Sequence, residues 1–234
     1  IGWAYSVDAK SGAVAGREAT VHAFDVSGTV VTLATPGTLP DTAANPESAR
    51  PLAHATVVSS QGTAVTDAAG QFTLVGATPP VQVTVAYQGA FAAVANGAGP
   101  DYALQAVLPA ATGNALTLNA TPTDEVTAQA NAFAQIGALR DWTRSVNPLD
   151  ATADFLATAR VNQVLSCGAA FNGSSVQFGL PGFGCVNMAY STVVLHEMGH
   201  WLNVRYGNGN DPDGFGEGNA DVYAMFSTDQ PVVV

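Results

Sequence analysis

The chain has little charge, and least of the positive sign. Charged residues fill 11% of its 234 positions, 7 Lys and Arg against 18 Asp and Glu, and Lys10 is the only lysine. A formal net charge of −11 repels polyphosphates and anionic lipid, so neither nucleic acid nor a membrane surface is expected as a partner. No run of about eighteen strongly apolar residues occurs, which excludes a helical bilayer span. The start at Ile1 shows neither a charged n-region nor an apolar h-region, so a secretory signal is expected to be absent or already removed. Cysteine is scarce as well: Cys167 and Cys185 are the 2 present, and neither has a neighbour at metal-ligand spacing. A disulfide between them is the favoured pairing, against two buried thiols or a metal pair. It would contribute about 3 kcal/mol in the chain-entropy picture and implies an oxidising, extracellular compartment.

What is abundant is small and apolar. With 47% hydrophobic residues the chain can build one large core or two modest ones. Residues 1–110 carry almost no helical period. Trp3–Val7 and Ala19–Val26 alternate as half-buried strands do, and Val30–Leu33 continues the pattern. After a loop over Thr35–Pro51 come short strands at Ala55–Val58, Gly62–Thr66, Gln71–Val75 and Val81–Tyr87. Turn residues separate them, so an antiparallel sandwich is expected. His22 and His54 fall alone on strand faces and are read as surface or hydrogen-bonded histidines. The flexible composition of Asn96–Gly113 places a domain boundary near residue 110, giving domains 1–110 and 111–234. Ala115–Leu118 is read as one further strand. Residues 121–145 then turn helical, with Thr121 as cap and Pro122 in the first turn. Val126, Ala130, Phe133 and Gly137 form one stripe, read as core. Ala159–Val164 and Val176–Phe178 are expected strands.

The residues that carry chemistry lie beyond. Val193–Leu202 reads as an apolar helix bearing His196-Glu197-Met198-Gly199-His200, with Ser191 as a cap and Gly207 past its end. A spacing of four residues stacks the two imidazoles on one helical face, where both can ligate one ion. Glu197 projects beside them, within reach of a metal-bound water, as a general base. Downstream, Gly216-Glu217-Gly218-Asn219-Ala220-Asp221 opens a second helix on which Glu217 and Asp221 face the same way. Glu217 is the expected third ligand, and Asp221 the acceptor for the free ring N–H of a ligating histidine. The alternative for both is ordinary helix-start acid. A structural zinc site is disfavoured, since no fourth protein ligand is evident.

These segments together resemble the gluzincin zinc metallopeptidases, fungalysin-like and thermolysin-like, over residues 120–226. Ala169-Ala170-Phe171-Asn172-Gly173 resembles that family's substrate-pairing edge strand. The resemblance implies a zincin-type α+β catalytic subdomain and one catalytic Zn2+. It also implies polypeptide substrates bound along Gly168, Ala169 and Ala170, although Gly168 stands where the family often has an asparagine. A mostly helical second lobe would follow and supply the oxyanion-stabilising group; Tyr206 is the stand-in within this chain. Ca2+ on Asp211 and Asp213 is a further possibility from the same resemblance, with a solvated turn preferred. Pro51–Val57 and Thr66–Phe72 are similar to carboxypeptidase-regulatory-like β-sandwich modules. The expectation is therefore a secreted zinc metalloendopeptidase of α+β class, an all-β antiparallel sandwich followed by a truncated gluzincin part. The alternative is a non-catalytic extracellular binding or adhesion protein working through its sandwich on a zincin scaffold.

Overall fold

Alternation of apolar and polar residues carries most of the chain into strands. The computed structural model describes residues 3–19, 24–210 and 214–231. In chain order it runs β1 (Trp3–Val7), β2 (Val14–Ala19), β3 (Val26–Ala34), β4 (Ser48–Pro51), β5 (Ala55–Ser59) and β6 (Gly62–Val65). Then come β7 (Gln71–Leu74), β8 (Val81–Gly89), β9 (Ala92–Asn96), β10 (Ala103–Leu108), β11 (Asn114–Leu118) and helix α1 (Asp124–Val146). Strands β12 (Ala157–Gln163), β13 (Ala169–Phe171) and β14 (Val176–Gly179) precede helices α2 (Ser191–Arg205) and α3 (Phe215–Thr228). The class is α+β, as expected. Among the described residues no helix is long and apolar enough to cross a membrane.

Two sheets pack face to face. The smaller runs β11-β3-β4 with β7 also on β3, and the larger runs β13-β14-β12-β9-β8-β5-β6 with β10 on β8. Val26, Val30, Phe72 and Leu74 of one sheet share a buried core with Val57, Val83 and Val85 of the other. Thr32 and Tyr87 bridge the sheets through their hydroxyls at 2.8 Å. Residue 110 falls between β10 and β11, and the larger sheet takes hydrogen-bonded strands from both sides of it.

Several sequence readings need correction. Trp3–Val7 is a strand, but all five of its residues are exposed. Among the described residues it pairs only with β2, in a two-stranded ribbon that no second layer buries. The strand expected over 19–26 falls partly on residues outside those described, as does His22; β2 stops at Ala19 and β3 starts at Val26. The loop expected through Pro51 ends in β4, and the flexible segment before Gly113 contains β10. Pairing among β1 to β10 is antiparallel throughout, as expected of residues 1–110, whereas the later strands add parallel pairs, β11 on β3 and β12 on both β9 and β14. Long connections allow this: the path from β9 to β12 passes through α1, a crossover that parallel strands require.

Helix α1 packs across the larger sheet, burying Ala130, Phe133, Ile136 and Leu139. Its cap is Thr123, whose side chain accepts from the Val126 N–H, so the helix begins two residues later than Thr121 implied. Pro122 lacks an N–H, while Thr123 holds the extended conformation that a capping hydroxyl needs. His54 lies in a turn at φ 63° rather than on a strand face. It is satisfied, as expected: its Nε2 lies 2.8 Å from Asp141 of α1.

Candidate metal centre

The site forms where α2 and α3 cross. Ser191 is the first residue of α2 and not its cap; Tyr190 precedes the helix in extended conformation, and no side chain caps it. At the other end Gly207 takes φ 81° and its N–H bonds to the Val204 carbonyl, the left-handed stop expected of that glycine. Between these ends α2 turns Val194, Leu195, Met198 and Leu202 into the core.

Gly199 sets how closely α3 approaches. A Cβ on Gly199 would lie 2.7 Å from the Cα of Ala220, closer than real Cβ atoms come. Only glycine lets the two backbones touch there, and Ala220 is itself fully buried. Glu217 sits one turn before Ala220, so this contact carries its carboxylate to the histidines.

His196, His200 and Glu217 meet as anticipated. The two Nε2 atoms are 3.1 Å apart, and Glu217 Oε2 lies 3.2 Å from the first and 3.3 Å from the second. The other ring nitrogens are engaged. Asp221 Oδ1 lies 2.8 Å from His196 Nδ1, which assigns the proton to Nδ1 because a carboxylate only accepts. Asn210 Oδ1 lies 3.3 Å from His200 Nδ1. Its amide is oriented by Nδ2 donating to the His200 carbonyl at 3.0 Å and by Oδ1 accepting from Asn203 Nδ2 at 3.1 Å. With both protons outward, three lone pairs point at one another. His200 is buried and His196 half-buried, whereas the Glu217 side chain is 71% exposed and leaves one side of the triangle open to solvent.

Asn210 and Asn203 are the residues that sequence reasoning missed. Asn203 is fully buried on α2, and its Nδ2 also reaches the Gly216 carbonyl at 3.3 Å, while Asn219 donates to its Oδ1. A buried asparagine one turn after His200 was the available signal. Asp211 and Asp213 lie outside the described residues.

Glu197 is buried beside the triangle. Burial raises its carboxyl above the usual range, opposed by the two histidines and by a hydrogen bond from the Phe171 backbone. That bond ties the base to β13, which is the edge strand and pairs only with β14 among the described residues. Ala169 and Ala170 lie on this strand, whereas Gly168 precedes it and its carbonyl already accepts from Gly179 at 2.9 Å. Phe171 stacks on Trp201 of α2 with centroids 5.3 Å apart, a second tie between strand and helix. Cys167 and Cys185 form a disulfide with Cα atoms 5.5 Å apart, closing the segment that holds β13 and β14. Tyr206 does not face the triangle's chemistry: its hydroxyl donates to Asp150 at 2.5 Å. Burial first, and then this bond, push its pKa up to about 12.

Compared with known proteins, the chain matches no family model and no curated protein.

Proposed function

We propose that this chain carries the zinc centre of an extracellular metalloendopeptidase of gluzincin type. The donor triangle carries this reading. Tetrahedral zinc with nitrogen and oxygen bonds of about 2.0–2.1 Å holds its donors roughly 3.3 Å apart. The edges here are 3.1, 3.2 and 3.3 Å. Two imidazoles and one carboxylate are also a donor set that zinc accepts while keeping a position free. When bound, zinc would polarise a scissile carbonyl and make water nucleophilic near neutral pH.

The chain's own residues do the rest. Asp221 and Asn210 hold both imidazoles with Nε2 deprotonated and inward. Glu197 takes the proton of the attacking water and returns it to the leaving amine; its burial favours a proton-holding form suited to that exchange. The free edge of β13 pairs with substrate backbone as an added strand, and the Phe171–Glu197 hydrogen bond holds that strand in register with the base. A disulfide beside the strand suits an oxidising compartment.

Glu197→Gln tests the assignment. Zinc content should stay at the wild-type level while casein hydrolysis falls by about 10²–10⁴-fold. Hydrolysis at the wild-type rate would remove Glu197 from the mechanism, and a wild-type protein without zinc would remove the reading altogether.

A further inference from the structure

Arg50 of β4 stands apart from the other arginines. Arg140, Arg144 and Arg205 all donate hydrogen bonds, and Arg17 lies over Trp3. Arg160 is exposed, whereas Arg50 is partly buried. No hydrogen bond, ion pair or ring contact engages the Arg50 guanidinium among the described residues. Although the chain has 18 acidic groups, none among the described residues pairs with it: burial depresses its pKa with no carboxylate to offset the cost. Guanidinium stays charged under such pressure, so the charge is held in place without a counterion.

The guanidinium lines a recess of about 520 Å³ whose walls include Thr38, Ser48, Gln135, Ser191 and Thr228. Two of these belong to mostly buried residues whose polar groups have no protein partner among the described residues. Gln135 of α1 is 8% exposed and Ser191 of α2 is 6% exposed, and neither side chain has a hydrogen bond within the described residues. Their polar atoms are not sealed in the core but open to solvent through the recess, so they are free to pair with something bound there. Ser191 also opens a 15-residue helix that no side chain caps. Its first-turn N–H groups and positive dipole end therefore favour an anion. Hydroxyl, amide, helix end and guanidinium all offer donors to one space.

We propose that this recess binds a small oxyanion, a carboxylate or phosphate group, gripped by Arg50 with Ser191 and Gln135 donating from two helices. The planar fork of arginine matches two oxygens of either group. The site is separate from the donor triangle and does not rest on the peptidase reading.

Thermal melts at constant ionic strength, with inorganic phosphate in one arm and succinate in the other, test it on zinc-loaded and metal-free protein. At ten times Kd the midpoint should rise by about 4 °C. Stabilisation by phosphate alone assigns a tetrahedral oxyanion, and by succinate alone a carboxylate. Arg50→Met should abolish the shift and leave zinc content unchanged. Gln135→Leu, on a different element, should weaken binding about fivefold and decides the matter if Arg50→Met does not fold. No shift with either anion overturns the proposal. So does a shift confined to zinc-loaded protein, an undiminished shift in Arg50→Met, or unchanged affinity in Gln135→Leu.

Discussion

Two clusters of ionisable side chains lie on the helices, and their charges close in different ways. At the C-terminal end of α1, Arg140 meets Asp154 at 2.7 Å and Asp141 at 3.0 Å, Arg144 meets Asp154, and His54 meets Asp141 at 2.8 Å. Each donor there faces an acceptor, so the cluster needs nothing further. Where α2 meets α3, the donors face outward and the acceptors converge: Asp221 and Asn210 take the ring protons, and three lone pairs are left within about 3 Å of one another. A cluster of the first kind is structural. One of the second kind has the donor arrangement that the proposed zinc would complete.

The largest expected effect comes from spoiling the second cluster's geometry without touching a donor. Gly199→Ala puts a methyl 2.7 Å from the Ala220 Cα. Relief requires α3 to move, which overpacking costs place at about 3 kcal/mol, equivalent to more than a hundredfold. Zinc titration of the variant should show that loss as weakened affinity, with the α1 cluster's stability contribution intact. Zinc affinity at the wild-type level would mean that the helices' contact does not position Glu217.

A smaller effect distinguishes the two imidazole supports. Asp221→Asn replaces a charged acceptor and should weaken zinc by about thirtyfold. Asn210→Ala removes a longer, neutral bond and should weaken it less. Competition with a chromophoric chelator measures both, and equal losses would contradict the ranking by charge and distance.

The smallest effect belongs to the first cluster. The hydrogen bond from Arg144, and after it that from Arg140, holds the Asp154 carboxyl down at about 2, against 3.8 unperturbed. A folded pKa below the unfolded one stabilises the protein above the unfolded value. That contribution is complete above about pH 4 and is lost as pH falls toward about 2. After allowance for solvent screening it is on the order of 1 kcal/mol. Asp154→Asn should remove this part of the acid dependence in urea melts between pH 2 and 5 while zinc binding at neutral pH is unchanged.

How much of this was legible in the sequence varied with the range of the interaction. Strand positions in β5 to β8 followed from alternation and turn residues, because both act within a few residues. The exposure of β1 did not follow, since alternation cannot say whether a second layer exists. Likewise the run from 103 to 108 looked like linker until β8 was there to pair with it. At the site, His196, His200, Glu217 and Asp221 were readable because each pair is spaced by four on one helix. Asn210 was not, for it reaches His200 from a loop ten residues away, and loop composition carries no direction. Tyr206 drew attention by proximity to the motif, and Asp150 claimed it instead.

Helical and strand periodicity and turn glycines were determined by the sequence alone, and with them which donors share a face. Tertiary structure alone decided that α3 comes close enough for Glu217 to join the two imidazoles, because that depends on the absence of one Cβ against a neighbouring backbone. It also decided that β9 lies beside β12 across the expected boundary, and that Arg50 lines a recess with no acid among its described walls. Such outcomes depend on what packs against a residue from a distant part of the chain, and no local pattern records that.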